Sequence, residues 1–307
     1  MITEAAEALR AGQLVAFPTE TVYGLGADAR APRAVQRIFT AKNRPDDHPL
    51  IVHIATADEL GAWARDIPEA ATRLMASFAP GPLTLILQKR SDVPDAVTGG
   101  HPTIGLRVPD HPVANALLRA FGSGVAAPSA NRFGSVSPTT AAHVALELGA
   151  SVDLILDGGA CRVGIESTIV DLSRGEPALL RPGGLPAEAI EAVLGQPLKL
   201  GAQTKAPGTL PSHYAPRARV LAVDARALRA KVAEVTGRVV VLADHDVEGV
   251  PRIDLPADPV LAAPRLYAAL REVDERGFDV AVVALPAPTG IGRAIADRLR
   301  RASHPRT

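Results

Sequence analysis

The sequence predicts an α/β protein of two domains, and three observations along the chain lead to this fold class. Short aliphatic runs alternate with amphipathic stretches of helical length from the first residue to about Leu194. Periodicity disappears between Gln196 and Arg217, where Gly and Pro are too dense for regular structure. Three further strand and helix units follow. We therefore predict a first domain at 1–195, a linker at 196–217 and a smaller domain at 218–307.

In the first domain, strands are predicted at the short apolar runs and helices at the amphipathic stretches between most of them. The predicted strands span residues 14–17, 50–54, 83–88, 103–108, 125–127, 154–156 and 167–172. The predicted helices span residues 3–10, 32–41, 58–65, 111–120 and 138–148. Pro32 and Pro138 stand where the first turn of a helix tolerates proline.

The second domain is predicted to hold three strands, each followed by a helix. The strands lie at 218–225, 237–244 and 279–287, and the helices lie at 226–235, 260–276 and 292–301. Because apolar strands joined by helices run in the same direction, this domain should contain a small, mostly parallel sheet.

Composition excludes several classes of function. Lys and Arg number 33 against 33 Asp and Glu, so no overall field attracts nucleic acid or anionic lipid. The single cysteine, Cys161, excludes an internal disulfide and a thiolate zinc site, and fits a cytoplasmic protein. The start MITEAAEALRAGQLVAF does not resemble a signal peptide, and no apolar run is long enough for a membrane span. We expect no membrane partner.

Polar or glycine-rich segments fall near the ends of the predicted strands, where ligand crevices form in open α/β sheets. These segments are PTETVYGLGADA (18–29), AKNRPDDHPLIVH (41–53), PGPLTL (80–85), TIGLRVPDHP (103–112), APSANRFGSVSPT (127–139), DGGACRVGIEST (157–168) and LLRPGG (179–184). They supply cations, hydroxyls and glycines, which together suit a polyphosphate ligand. Taken singly, each is more often a turn, a packed side chain or solvated surface.

Common nucleotide and hydrolase motifs are missing. The sequence contains neither GxxxxGK[ST] nor a complete GxGxxG, since the GLGADA run lacks the third glycine. It also has no GxSxG elbow, HExxH motif or cysteine cluster, so no covalent nucleophile or protein metal cage is indicated.

Taken in order, the seven segments resemble the YrdC-like family in its long two-domain form, the threonylcarbamoyl-adenylate synthases. The resemblance extends to the linker motif KAPGTLPSHYAP and to the final GIGRAIADRLRRAS, so it covers nearly the whole chain. It implies a twisted, mixed-sheet α/β catalytic domain with a concave positive cleft, followed by a smaller α/β domain.

The resemblance assigns roles to individual residues. Its catalytic positions are Lys42, Arg44, Ser129 and Asn131. Its ATP-binding positions are those four together with His48, Thr103, Ser137, Arg181 and the linker residue Tyr214, which lies beside His213. Its threonine-binding positions are Thr21, His53, Arg107, Ala127 and Ser167. Asn43, His48 and Thr209 depart from the family's usual residues, which makes His48 and Thr209 uncertain contacts.

The implied reaction joins L-threonine, bicarbonate and ATP into threonylcarbamoyl-AMP and pyrophosphate, with Mg²⁺ arriving on ATP and no protein metal ligand. The product would pass to the machinery that transfers the threonylcarbamoyl group to tRNA beside the anticodon. One alternative is a carbamoyltransferase of the kind found in hydrogenase maturation, which the single cysteine and the different second domain disfavour. The other is a non-enzymatic RNA-binding module that would use the cleft, with weak, salt-sensitive RNA binding.

Overall fold

The computed structural model describes residues 1–201, 204–210 and 212–305. Residues 202, 203 and 211 of the predicted linker lie outside the described residues. The described chain contains a large mixed sheet and a smaller parallel sheet. The predicted fold class is therefore confirmed, while the exact domain boundaries stay predictions.

The larger sheet has eleven strands in the described residues. In chain order they are β1 Val15–Phe17, β2 Gly24–Asp28, β3 Ile51–His53, β4 Ala64–Arg65, β5 Leu83–Lys89, β6 Thr103–Arg107, β7 Val125–Ala126, β8 Leu154–Ile155, β9 Thr168–Asp171, β10 Ala178–Arg181 and β11 Lys199–Leu200. Across the sheet their order is β11-β10-β9-β5-β6-β3-β7-β2-β1-β8, and β4 pairs with β5. The sheet is mixed, with parallel pairs such as β3 with β6 and antiparallel pairs such as β5 with β6.

Helices cover both faces of this sheet. They are α1 Ile2–Arg10, α2 Pro32–Lys42, α3 Glu69–Phe78, α4 Asp95–Thr98, α5 Pro112–Phe121, α6 Ala141–Leu148 and α7 Ala187–Leu194. On one face α2, α3 and α7 contribute to the main hydrophobic core, while α1 and α5 pack together in a second core. Central strands are therefore buried on both sides, which explains why they read as continuous aliphatic runs.

The smaller sheet holds β12 Arg219–Val223, β13 Val239–Ala243, β14 Arg252–Asp254 and β15 Val280–Ala284, all parallel, in the order β12-β15-β13-β14. Its helices are α8 Leu228–Glu234, α9 Pro259–Glu275 and α10 Gly290–Ser303. The core formed by α9 and α10 also includes Val22, Val136 and Ile165 of the first domain. These two helices therefore join the second domain to loops of the first.

Several predicted elements are wrong in detail. Residues 58–65 do not form an α-helix: a 3₁₀ helix, Ala57–Ala62, leads into β4. Pro138 is not in a first helical turn, because α6 begins at Ala141 and the Thr140 side chain caps it by accepting from the His143 amide at 3.2 Å. The linker is not wholly irregular, since Lys199–Leu200 pairs with β10.

Besides β4 and β11, six strands and α-helices of the described residues were not predicted. They are β2, β10, β14, α3, α4 and α7. The glycines of GLGADA suggested a turn, yet β2 uses them for close packing, because a Cβ atom at Gly26 would lie 2.8 Å from a Val125 methyl group.

Candidate active site

A cavity, called here the central cavity, lies over one face of the larger sheet. Ile51 and His53 both line it, since residues two apart on a strand point to the same face. Arg107, the register partner of His53 on β6, lines it as well. Loops and the linker supply the other walls, with Thr19, Thr21, Val22, Gly24, Arg44, Ala127, Pro128, Ser129, Glu166, Ser167, Arg181, Pro207, Gly208, His213 and Tyr214.

Six of the seven motif segments contribute to these walls, and only PGPLTL contributes none. That segment instead supports a residue of the wall, because the Thr84 hydroxyl shares a 2.8 Å hydrogen bond with the Ser167 hydroxyl. Six segments that are separated in the sequence therefore line one cavity.

All the predicted threonine-side residues line the central cavity: Thr21, His53, Arg107, Ala127 and Ser167. Burial, and then the nearby Arg107 charge, lowers the pKa of His53 to about 3, so its imidazole is neutral at pH 7. Its Nδ1 atom has no hydrogen-bond partner among the described residues. A buried polar atom without a partner, on a cavity wall, suits a polar ligand.

Arg107 is held by a carboxylate that sequence reasoning missed. The Arg107 guanidinium lies 2.7 Å from the Glu20 carboxylate, and both side chains are almost fully buried. The other Glu20 oxygen accepts from the Asp110 amide at 3.0 Å. A buried ion pair of this kind fixes the guanidinium in one orientation. The only sequence signal was a carboxylate inside the PTET segment.

On the phosphate side, Arg44, Ser129 and Arg181 line the cavity. Burial lowers the pKa of Arg44 to about 10, which leaves the guanidinium charged at neutral pH. Arg44 donates to the Pro49 carbonyl at 3.1 Å, while its Nε atom has no hydrogen-bond partner in the described part of the chain. Arg181 donates to the Ser167 carbonyl at 2.8 Å and to its hydroxyl at 3.1 Å.

Lys42 and Asn131 do not belong to the cavity wall. The Lys42 ammonium group is fully buried and donates to the carbonyls of Ser129, at 2.6 Å, and of Asn131. Burial, followed by the Arg44 charge, holds the pKa of Lys42 well below its ordinary value. In this conformation Lys42 shapes the Ser-Ala-Asn loop, whereas Arg44 faces the cavity.

His48, Thr103 and Ser137, all predicted on the nucleotide side, are also outside the wall. The His48 ring lies against Phe133 with 5.4 Å between ring centroids. Thr103 begins β6, four residues before Arg107 and so about 13 Å along the strand. Ser137 is buried and donates to the Glu166 carboxylate at 2.7 Å. Their predicted nucleotide contacts stay predictions.

The linker closes the central cavity. Pro207, Gly208, His213 and Tyr214 line it, and the Pro207 carbonyl accepts from Arg181 at 3.0 Å. Burial lowers the pKa of His213 to about 3, so this imidazole is neutral as well. Both the Tyr214 hydroxyl and His213 Nδ1 have no hydrogen-bond partner among the residues described.

With the linker in place, the central cavity has a free volume of about 50 Å³. Pockets for ligands of drug size have volumes of roughly 300–1,000 Å³. We therefore expect the linker to move when a nucleotide binds.

In the described residues, no group of three or more His, Cys, Asp or Glu side chains is arranged to hold a metal ion. None of the helices there combines the length and the apolar content that crossing a bilayer requires.

Comparison with known proteins identifies relatives of both domains. Residues 7–183 match the family described as "Telomere recombination". Residues 185–304 match the family described as "Threonylcarbamoyl-AMP synthase, C-terminal domain". Threonylcarbamoyl-AMP synthase of Pyrococcus abyssi is 43% identical over 97% of this chain and 93% of its own length. The enzyme of the same name from Bacillus subtilis is 42% identical over 98% of this chain and 92% of its own.

A solved structure agrees with these sequence relationships. The crystal structure of Pyrococcus abyssi Sua5 complexed with L-threonine has a TM-score of 0.92 at 43% identity, covering 98% of this chain and 94% of that one. The match extends over both sheets and the segment between them. The chain therefore belongs to the threonylcarbamoyl-AMP synthase family, in its long form with a YrdC-like domain and a C-terminal domain.

Proposed function

We propose that this chain forms threonylcarbamoyl-AMP and pyrophosphate from L-threonine, bicarbonate and ATP. The observation that carries the proposal is the convergence of three buried arginines, Arg44, Arg107 and Arg181, on one cavity. A threonine carboxylate and a triphosphate are both anionic, so a site for the two together needs several fixed cations. Family membership indicates which anions these are.

The threonine side is formed by Arg107, His53 and the hydroxyl groups of Thr21 and Ser167. Arg107, oriented by Glu20, would bind the amino acid's carboxylate. The neutral His53 ring adds no positive charge beside the amine, which must lose a proton before it can attack carbon dioxide. The amine and bicarbonate then give a carbamate and water. The complex of a relative with L-threonine supports this assignment.

The phosphate side is formed by Arg44, Arg181 and Ser129. The carbamate oxygen would attack the α-phosphorus of ATP, the bond to the β-phosphate oxygen would break, and pyrophosphate would leave. Such a transfer depends on alignment and on neutralising the phosphate charge, so fixed guanidinium groups suffice without an enzyme nucleophile. Mg²⁺ would enter as part of the ATP substrate and keep most of its waters.

The product is a mixed anhydride that water hydrolyses readily, so both synthesis and delivery must limit its exposure. A closed linker would exclude water during synthesis. The expected consumer is the machinery that transfers the threonylcarbamoyl group to tRNA, and we place both steps in the cytoplasm.

The test is pyrophosphate release by the purified full chain, with mass detection of threonylcarbamoyl-AMP. Release should require threonine, bicarbonate and ATP together, and reactions that omit one substrate are the controls. Pyrophosphate release that does not depend on threonine would overturn the proposal. RNA retention that weakens steeply with salt, in a chain that forms no adenylate, would favour the RNA-binding alternative.

A further inference from the structure

Helix α10 contacts the site from outside the central cavity. One side of it carries Asp297, Arg298 and Arg301. Arg301 follows Asp297 by four residues and Arg298 by three, and residues at these spacings are neighbours on a helix surface. Arg301 donates to the Leu210 carbonyl of the linker, and its own carbonyl accepts from the His213 amide at 3.4 Å. The last helix therefore holds the segment that closes the cavity.

Arg298 makes the most extensive of these contacts and has no exposed surface. Its Nε atom donates to the Glu166 carboxylate at 2.7 Å, and one terminal nitrogen donates to the Pro182 carbonyl at 3.0 Å. The guanidinium carbon lies 4.9 Å from the centre of the Tyr214 ring, a cation–π geometry. One side chain of the second domain thus contacts three segments that lie at or next to the cavity.

Glu166 lines the central cavity, and three hydrogen bonds hold its carboxylate. The oxygen that Arg298 contacts also accepts from the Tyr267 hydroxyl at 2.7 Å, and the other accepts from Ser137 at 2.7 Å. Burial alone would raise the pKa of Glu166, but the charges of Arg298 and Arg181 and these hydrogen bonds lower it to about 2. The carboxylate is therefore charged and well anchored beside Ser167.

Tyr214 has a backbone conformation that needs support from its surroundings. Its φ of 61° is in the left-handed region, which residues with a side chain other than Asn or Asp rarely adopt. Its ring stacks on Tyr267, with 5.8 Å between ring centroids, and has the Arg298 guanidinium next to it. Contacts from the second domain thus stabilise the strained residue.

We propose that Arg298 is a positioning residue for the reaction, fixing the Glu166 carboxylate and the Tyr214 ring on two walls of the central cavity. Arg298 itself does not line the cavity, so it acts through these two groups. The second domain thereby contributes to the site geometry as well as to its stability. Only the kinetic test of this inference depends on the proposed function.

The test compares Arg298→Met and Arg298→Lys with Arg300→Met, a matched control at an exposed position on the same helix. Arg298→Met should lower kcat by up to about 100-fold, because small displacements of positioned groups have effects of that size. Arg298→Lys keeps the charge but cannot make the contacts to Glu166, Pro182 and Tyr214 at the same time, so it should recover only part of kcat. Arg300→Met should match the parent chain. A folded Arg298→Met or Arg298→Lys chain with parental kcat and KM would overturn the inference.

A double variant separates positioning from simple charge balance. Arg298→Met leaves the Glu166 carboxylate buried without its main partner, and adding Glu166→Gln removes that charge. The double variant should regain thermal stability without regaining kcat. Recovery of both would reduce Arg298 to a structural counter-charge and overturn the inference.

One readout does not depend on the reaction. Lys205 has an exposed side chain on the linker, so we expect trypsin to cut after it at a rate that reports how firmly the linker is held. Cleavage after Lys205 should be faster in folded Arg298→Met than in Arg300→Met. If the parent chain releases no pyrophosphate, the proposed function fails, while this rate still decides whether Arg298 holds the linker. Equal rates in the two variants would count against the inference.

Discussion

Gly208 lies so close to Tyr214 that a Cβ atom at residue 208 would stand 2.2 Å from the Tyr214 hydroxyl oxygen. The same atom would lie 3.0 Å from a terminal nitrogen of Arg181. Gly208 also has a φ of +73°, which favours glycine. The linker therefore packs on the phosphate side of the cavity in a way that strongly favours glycine at position 208.

Gly208→Ala should weaken the closed state and lower pyrophosphate release, because the added methyl group must displace Tyr214 or Arg181. The matched control is Gly195→Ala, at the end of α7, where φ is +71° and no atom lies within 4 Å of the added carbon. Both variants should lose about 1–2 kcal/mol of unfolding free energy from backbone strain. Only Gly208→Ala should lose activity, and equal activity of the two would contradict a closing role for the linker.

Arg44→Ala should lower turnover about 100-fold or more, since it removes transition-state stabilisation on the order of 3 kcal/mol, comparable with one oxyanion-hole donor. Arg44 faces the cavity with an unpartnered Nε atom, so its loss leaves phosphate charge without a donor. Initial rates of pyrophosphate release at saturating ATP measure the effect.

The control for Arg44 is Arg33→Ala, at an exposed position of the preceding helix α2. It removes the same charge from the chain without touching the cavity. If Arg44→Ala and Arg33→Ala both keep near-normal turnover, Arg44 does not act on the phosphates.

Selectivity among amino acids should follow the hydroxyl groups on the threonine side. Serine lacks one methyl group, worth roughly 1–3 kcal/mol, so threonine should be preferred by about 10- to 200-fold in kcat/KM. Valine should be rejected more strongly, because it would leave a buried polar atom such as His53 Nδ1, which has no partner among the described residues, without a hydrogen bond. The measurement is kcat/KM for each amino acid, and equal values for valine and threonine would show that no protein group binds the hydroxyl.

Sequence reasoning found the wall residues that lie beside strands, but not the long-range pairs that fix them. Arg107 and His53 end aligned strands, so their segments indicated a shared site. The Glu166–Arg298 pair joins residues 132 positions apart in different domains, and a single sequence contains no signal that links them. Glu166 and Glu20 were therefore missed.

Side-chain direction was the second limit of the sequence. Lys42 and Arg44 are two positions apart, yet one ammonium group bonds a loop and the other side chain faces the cavity. Asn43 separates them with a φ of 52°, where α2 ends in a left-handed residue. A Lys-x-Arg pattern alone does not reveal such a reversal.

Stability should fall in mild acid because of His53. Its pKa is about 3 in the folded chain against 6.5 as the ordinary value, so the unfolded chain binds more protons between those values. The contribution of His53 to the free energy of unfolding is therefore complete above pH 6.5 and is lost as pH falls. By linkage, the loss amounts to about 2 kcal/mol at pH 5. Denaturant unfolding of the parent chain and of His53→Gln, at pH 7.5 and pH 5, measures it.

The difference between the two pH values isolates the proton effect, since any packing cost of His53→Gln is the same at both. The parent chain should lose more stability than the variant on going to pH 5. An equal loss in both chains would show that His53 takes up its proton in the folded state.

The linker should open and close over the central cavity during each catalytic cycle. A free volume of about 50 Å³ is small for ATP, so we expect the described conformation to open for binding. On its outer side the linker is tied to the first domain by the exposed Lys205–Asp47 pair at 3.1 Å, and such pairs are worth only about 0–1 kcal/mol. Breaking this ion pair therefore adds little to the free energy of opening the linker.

Limited proteolysis after Lys205, with and without ATP plus threonine, measures this motion. Substrates that hold the linker closed should slow cleavage, and Asp47→Asn should speed it in the absence of substrates by removing the ion pair. A chain truncated after Gln196 should lose adenylate formation, because it lacks Tyr214 and all contacts from α10. Two results together would contradict this prediction: equal cleavage with and without substrates, and full activity of the truncated chain. The linker would then be a passive tether, since neither protection of the product nor positioning of Tyr214 would be needed.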